Sequence, residues 1–297
     1  MDDAISAGSG VTAAEFAASA GPLNQAELSS SQPALPKSFP GIAQALYLSV
    51  LFYGMTLAVV VMLPSISRFA GVSLDLFSSL LVLQVIAWPL ILWVGLRRGK
   101  VSFGNAFPLT RFPIRAVPAL FTAAFGATIL LLAVTSWIPM TEAFKGLMAE
   151  AARSNKLALF FSAVLAAPLG EELFFRGLVL RGFLSRYSIA KAVWASAVLF
   201  AIFHLNRWQA VVALPLGLAF AWLFLRTGSL IPGIIAHATV NFSASFLIPP
   251  LALLLGHDTY VKGHFPGAVL LIGAVTAGMG GFFLWRQLFR LSNEQGA

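Results

Sequence analysis

Glu171 and Glu172 stand side by side in the apolar run Leu157 to Leu184, and no other acid falls between Ala151 and His257. An ionised carboxylate is costly at membrane depth, so an acid there is a functional candidate by default. On a helix, Glu172 and Arg176 are four apart, share a face and can pair. Glu171 points ~100° away around the same helix. One acid has a resident counter-ion and the other has none, the pattern of a structural carboxylate beside a catalytic one. A purely structural ion pair is the plain alternative, but it leaves Glu171 unexplained. Two of the four histidines, His204 and His237, also lie in apolar runs, with Asn241 one turn beyond His237 on the same face. His257 and His264 fall in the polar loop His257 to Pro266 and read as solvated.

Such a set suits hydrolysis of a peptide bond. That reaction needs a base to deprotonate water and donors to hold the tetrahedral oxyanion. Glu171 and His204 can supply the base, and His237 and the Asn241 amide the donors. Glu172 and Arg176 support them. Cys is absent and Gly-x-Ser-x-Gly does not occur, so neither a thiol nor a serine-elbow nucleophile is on offer. Glu171, His204 and His237 would also make a zinc set. With no His-Glu-x-x-His, and Asn an unusual zinc ligand, the sequence favours metal-independent water activation, with zinc possible.

The elements that must position these residues span a membrane. Apolar residues make up 59% of the 297 and charged ones 10%, against ~25% charged in soluble domains. The net charge of +8 comes from Lys and Arg mostly set between apolar segments, which marks topology and argues against nucleic acid as a partner. The fold expected is an all-α, polytopic transmembrane bundle of about eight spans. These are placed near Ile42–Leu63, Leu76–Leu96, Ala116–Ile138, Leu157–Leu184, Ala192–Leu205, Trp208–Leu225, Leu230–Leu255 and Ala268–Trp285, each close to the ~20 residues a bilayer requires. The fifth and sixth are the shortest. Thr141 to Lys156 reads as an amphipathic surface helix. Residues 1–40, rich in Ala, Ser and Gly, are expected to be a disordered tail, and 41–297 a membrane domain with its core at about 157–246.

Two local features bear on the site. Pro168 and Gly170 predict a kink, after which the two glutamates would open a new helical section. His237 lies only ~10 Å into its helix, against ~20 Å for Glu171 and His204, so convergence needs a tilted helix or one that starts inside the membrane. Orientation follows from the basic residues. With eight spans and a cytoplasmic N-terminus, Lys37, Arg97, Arg98, Lys100, Arg111, Arg115, Arg181, Arg186, Lys191, Arg226, Arg286 and Arg290 face inward. Arg68, Lys145, Arg153, Lys156, Arg207 and Lys262 face outward. That balance places both termini in the cytoplasm of a cell inner or plasma membrane.

The patterns Glu171-Glu172-x-x-x-Arg176, Phe200-x-x-x-His204 and His237-x-x-x-Asn241 resemble the three motifs of the type II CAAX prenyl protease and bacteriocin-processing family. The resemblance covers roughly Leu157 to Phe246. It implies an intramembrane endopeptidase with a glutamate- and histidine-lined cavity, acting on a membrane-bound or lipidated (CAAX-like) protein or peptide. Two other readings use the same residues. An ion-coupled transporter would employ the Glu/His cluster as a relay, and a non-catalytic immunity or scaffold protein would keep the fold without the chemistry.

Overall fold

The computed structural model describes residues 39–254, 265 and 267–295. All but the last two residues of the expected tail, and both His257 and His264, lie outside that range. Among the described residues the chain is helical, without strands. Seven helices are long and apolar enough to cross a membrane: α1 (Ile42–Phe69), α2 (Leu76–Gly99), α3 (Ile114–Thr135), α5 (Lys156–Leu184), α7 (Arg207–Thr227), α8 (Ile231–Leu251) and the span Gly267–Leu288 of α9 (Gly267–Gln295). The protein is therefore a multi-pass membrane protein.

The fifth expected span is α6 (Ile189–Phe203), of 15 residues. At 1.5 Å per residue it covers ~22 Å, short of the ~30 Å hydrocarbon layer. The sixth expected span is a full 21-residue helix, longer than the sequence suggests. Thr141 caps α4 (Glu142–Arg153), the expected amphipathic helix, whose one buried residue is Phe144. Phe144 packs on Trp208 with ring centroids 5.0 Å apart, which anchors α4 beside the start of α7.

Side-chain caps fix where several spans begin. Asp75 accepts from Ser78 N at 2.8 Å and from Asn155 N at 2.9 Å. The first bond starts α2 and the second ties it to the start of α5. These bonds, Ser78 first, hold the Asp75 carboxyl below its ordinary range. Asn206 caps α7 through Trp208 N and Gln209 N. α3 and α9 approach backbone to backbone. A Cβ on Gly126 would lie 2.2 Å from Ala277 N, and one on Gly280 would lie 2.3 Å from Ala123 N. Small residues at such crossings let van der Waals packing hold helices that the lipid does not drive together.

The start of α8 resolves the depth mismatch. Leu230 is buried, and its N–H donates to Pro108 O at 2.9 Å. Ser229 Oγ donates to Thr110 O at 2.8 Å. The helix thus begins inside the protein, pinned to the segment after α2, and the short lead to His237 suffices to reach the level of Glu172.

Candidate active site

The site is built on α5, which runs without a break from Lys156 to Leu184. Pro168, where a kink is expected, does not interrupt the helix. Instead Phe160–Ala166 and Leu173–Leu180 are π-helical, flanking a six-residue α segment, Ala167–Glu172. The glutamates close that segment and do not open one, so a helix N-terminus is not what stabilises their charge. In a π stretch each carbonyl accepts from the residue five along, as Ser162 O does from Ala167 N. For Ala163 that residue is Pro168, which has no N–H. The Asn241 Nδ2 amide donates to Ala163 O at 2.7 Å and so fills the gap that the proline leaves. Asn241 stands just before a third π stretch, Ser243–Leu247. Hydrogen-bond registers therefore shift beside both acids and beside Asn241.

Glu172 and Arg176 pair as expected, with Nη1 to Oε1 at 2.8 Å and both side chains 1% exposed. Arg176 Nη2 also donates to Gly217 O at 3.1 Å. Its guanidinium lies 4.5 Å from the Phe200 ring centroid and 5.2 Å from that of Phe220. Planar, always charged and weakly hydrated, a guanidinium suits this dry, ring-lined slot better than an ammonium would. Glu172 Oε1 accepts a further bond from His237 Nδ1 at 3.0 Å. Gly233 lies close by: a Cβ there would sit 3.0 Å from Glu172 Oε2, a tight contact.

That bond decides the tautomer of His237. A carboxylate already held by Arg176 only accepts, so Nδ1 carries the proton and Nε2 is directed at Glu171 Oε2, 3.8 Å away. Nε2 can donate to an oxyanion only when the ring carries both protons; with one, it is an acceptor. Phe220 stacks on the ring at 5.1 Å, and Phe200 meets it edge-on at 5.7 Å. Glu171 itself is 13% exposed, and its Oε2 is buried without a hydrogen-bond partner. Glu172 is thus held by Arg176 and His237 through Oε1, with its Oε2 also lacking a hydrogen bond, while Glu171 has only the His237 ring at 3.8 Å.

His204 caps the C-terminus of α6, where its Nδ1 lies 2.9 Å from Phe200 O. A carbonyl only accepts, so Nδ1 donates and Nε2 of the neutral ring keeps its lone pair. Phe200 serves three neighbours at once: it carries Arg176 on its face, touches His237 with its edge and orients His204 through its carbonyl. His204 makes no hydrogen bond to Glu171 or His237, and Asn241 makes none to His237, among the described residues. Nor do any three His, Asp or Glu side chains among them form a group that could hold a metal ion, so Glu171, His204 and His237 as placed do not fit the zinc set.

The site also draws on residues that the motifs do not contain. Tyr53 of α1 packs on Phe203 at 4.9 Å and lies within electrostatic reach of Glu171. Its one sequence signal is that it is a tyrosine in mid-span. Trp88 of α2 packs on Phe52 and Phe203 and lies against Gly170, where a Cβ would fall 2.3 Å from the indole ring. Gly170→Ala should therefore destabilise the protein by about 1–3 kcal/mol through overpacking. Thermal melting in detergent reads this, with Gly281→Ala, whose Cβ meets nothing, as the control. Equal melting of the two variants would remove Trp88 as the wedge that seats α5.

Residues 153–243 match a family model described as Type II CAAX prenyl endopeptidase Rce1-like. Comparison with curated proteins and with solved structures gives no match. The matched stretch contains Glu171, Glu172, Arg176, His204, His237 and Asn241, and lies in helices that belong in a bilayer. Residues 153–243 are therefore similar to the Rce1-like type II CAAX prenyl endopeptidase domain, a likeness that at family level supports an intramembrane endopeptidase.

Proposed function

We propose that the protein hydrolyses a peptide bond of a membrane-bound or lipidated, CAAX-like protein or peptide, using water activated by Glu171 and His204. The observation that carries this reading is the buried Glu171 Oε2, a carboxylate oxygen with no hydrogen-bond partner. Glu171 takes one proton as the water oxygen bonds the carbonyl carbon, while His204 Nε2, left with its lone pair, accepts a hydrogen bond from the other O–H. Glu171 then returns its proton to the leaving amine as the C–N bond breaks. The tetrahedral oxyanion takes its hydrogen bonds from the Asn241 amide hydrogen not spent on Ala163 and from His237 Nε2–H when that ring carries both protons. Glu172 and Arg176 hold His237 at the correct angle and depth. Among the described residues no three His, Asp or Glu side chains form a group that could hold a metal ion, which supports a reaction without one.

The chain sits in a cell inner or plasma membrane with both termini in the cytoplasm, an arrangement that needs the 15-residue α6 to serve as an eighth crossing beside the seven full-length spans. The excess of Lys and Arg on that side supports this orientation.

Full-length protein in liposomes should cleave a peptide bearing a C-terminal lipid anchor, and continue to do so in chelator. Asn241→Ala should lower kcat by about 10²–10³, the cost of one oxyanion donor. Zinc found at one per chain, lost and regained together with activity, would replace the metal-free step. Substrate flux without any cleavage would replace the peptidase reading itself.

A further inference from the structure

Between the first turns of α3 and the stretch Met279 to Gln287 of α9 lies a surface groove of about 280 Å³. Gly280 lets α9 settle against Ala119 and Ala123, and that close approach forms the groove's floor. Met279 and Phe283, 55% and 48% exposed, form an apolar wall. The end towards the membrane surface is polar. Arg115 lines it, together with Gln287, whose Oε1 is buried without a hydrogen-bond partner. Among the described residues no acidic side chain lines the groove, and the neighbouring charges along the chain, Arg111 and Arg286, are also cationic. A buried acceptor left unpaired costs free energy unless a ligand brings it a donor.

We propose that this groove binds one phospholipid of the phosphatidylglycerol type. Its phosphodiester takes the Arg115 guanidinium, a headgroup hydroxyl donates to Gln287 Oε1, and an acyl chain follows Met279 and Phe283. Basic sites between spans at a membrane surface select anionic headgroups. An ammonium headgroup could also donate to Gln287, but the arginines around it oppose a further positive charge. This assignment is independent of the peptidase reading, because no residue of the groove belongs to that site.

The test is native mass spectrometry of the full-length protein released from nanodiscs of equal phosphatidylglycerol, phosphatidylethanolamine and phosphatidylcholine. One phosphatidylglycerol should be retained per chain, about tenfold over phosphatidylcholine. Arg115→Gln should abolish that preference, roughly the tenfold effect of one charge-assisted hydrogen bond, while Arg115→Lys keeps most of it. Gln287→Leu should lower phosphatidylglycerol retention alone. Met279→Trp, which fills the groove from its exposed side and leaves Arg115 in place, should also expel the lipid, and it decides the matter if Arg115→Gln melts early. Equal retention of the three lipids would overturn the proposal, as would preference for the ammonium headgroup. So would a well-folded Arg115→Gln or Met279→Trp variant that still holds phosphatidylglycerol, or displacement of the lipid by soluble glycerol phosphate.

Discussion

Glu171→Gln should reduce kcat by at least the 10²–10⁴-fold that general-base catalysis contributes, while a non-cleavable lipidated peptide binds as before. The amide has the size of the carboxylate, and Oε2 has no hydrogen bond to lose, so melting should be unchanged. Glu172→Gln makes the informative contrast. Its Oε1 is held by Arg176 at 2.8 Å and by His237 at 3.0 Å, and that variant should lose stability together with activity. Unimpaired peptidase activity in Glu171→Gln would remove Glu171 from the chemistry and, with it, the mechanism proposed above.

The second large effect is on stability. Arg176→Ala removes the partner of a carboxylate that is 1% exposed, the donor to Gly217 O and the cation held by two phenyl rings. Breaking a buried pair from one side costs about 3–5 kcal/mol, because the charge left behind stays dry. Arg176→Ala should fall in yield and melting temperature as well as in turnover. Arg176→Lys should recover only part, since an ammonium cannot span Glu172 and Gly217 with one planar fork. A variant that melts like the native protein and yet is inactive would place Arg176 in the reaction itself.

Much of this arrangement is legible in the sequence because it is local. The pairing of Glu172 with Arg176 follows from a spacing of four on one helix, and the isolation of Glu171 from the scarcity of acids around it. The membrane spans follow from length and apolarity. What the sequence conceals depends on contacts between distant segments. Pro168 reads as a kink, because a proline normally leaves its helix with a gap. Here a π register moves the gap to Ala163, and a side chain 78 residues away fills it. His237 reads as a free donor, whereas its Nδ1 is committed to Glu172, and only a fold that starts α8 inside the protein brings the two together. Tyr53 and Trp88 lie on the first two helices, before the motifs, and nothing in their own surroundings announces the site they pack around.

The placement of the ion pair also bears on how the chain is made. Glu172 and Arg176 lie one turn apart on a single helix, so their charges cancel as soon as that helix forms in the translocon. Neither has to wait for another span. A lone charge at the centre of an inserting helix costs about 2.5–3.5 kcal/mol on the biological insertion scale, and internal cancellation leaves Glu171 as the one uncompensated charge in the core of α5. His237 is synthesised 65 residues after Glu172, and Phe220, which stacks upon it, also comes late. Glu171 therefore meets the His237 ring only after α8 has been made, although Tyr53 and Trp88 precede it in the chain. A nascent chain thus carries both glutamates before His237 exists, so any chemistry that needs all three begins only after α8 has been made.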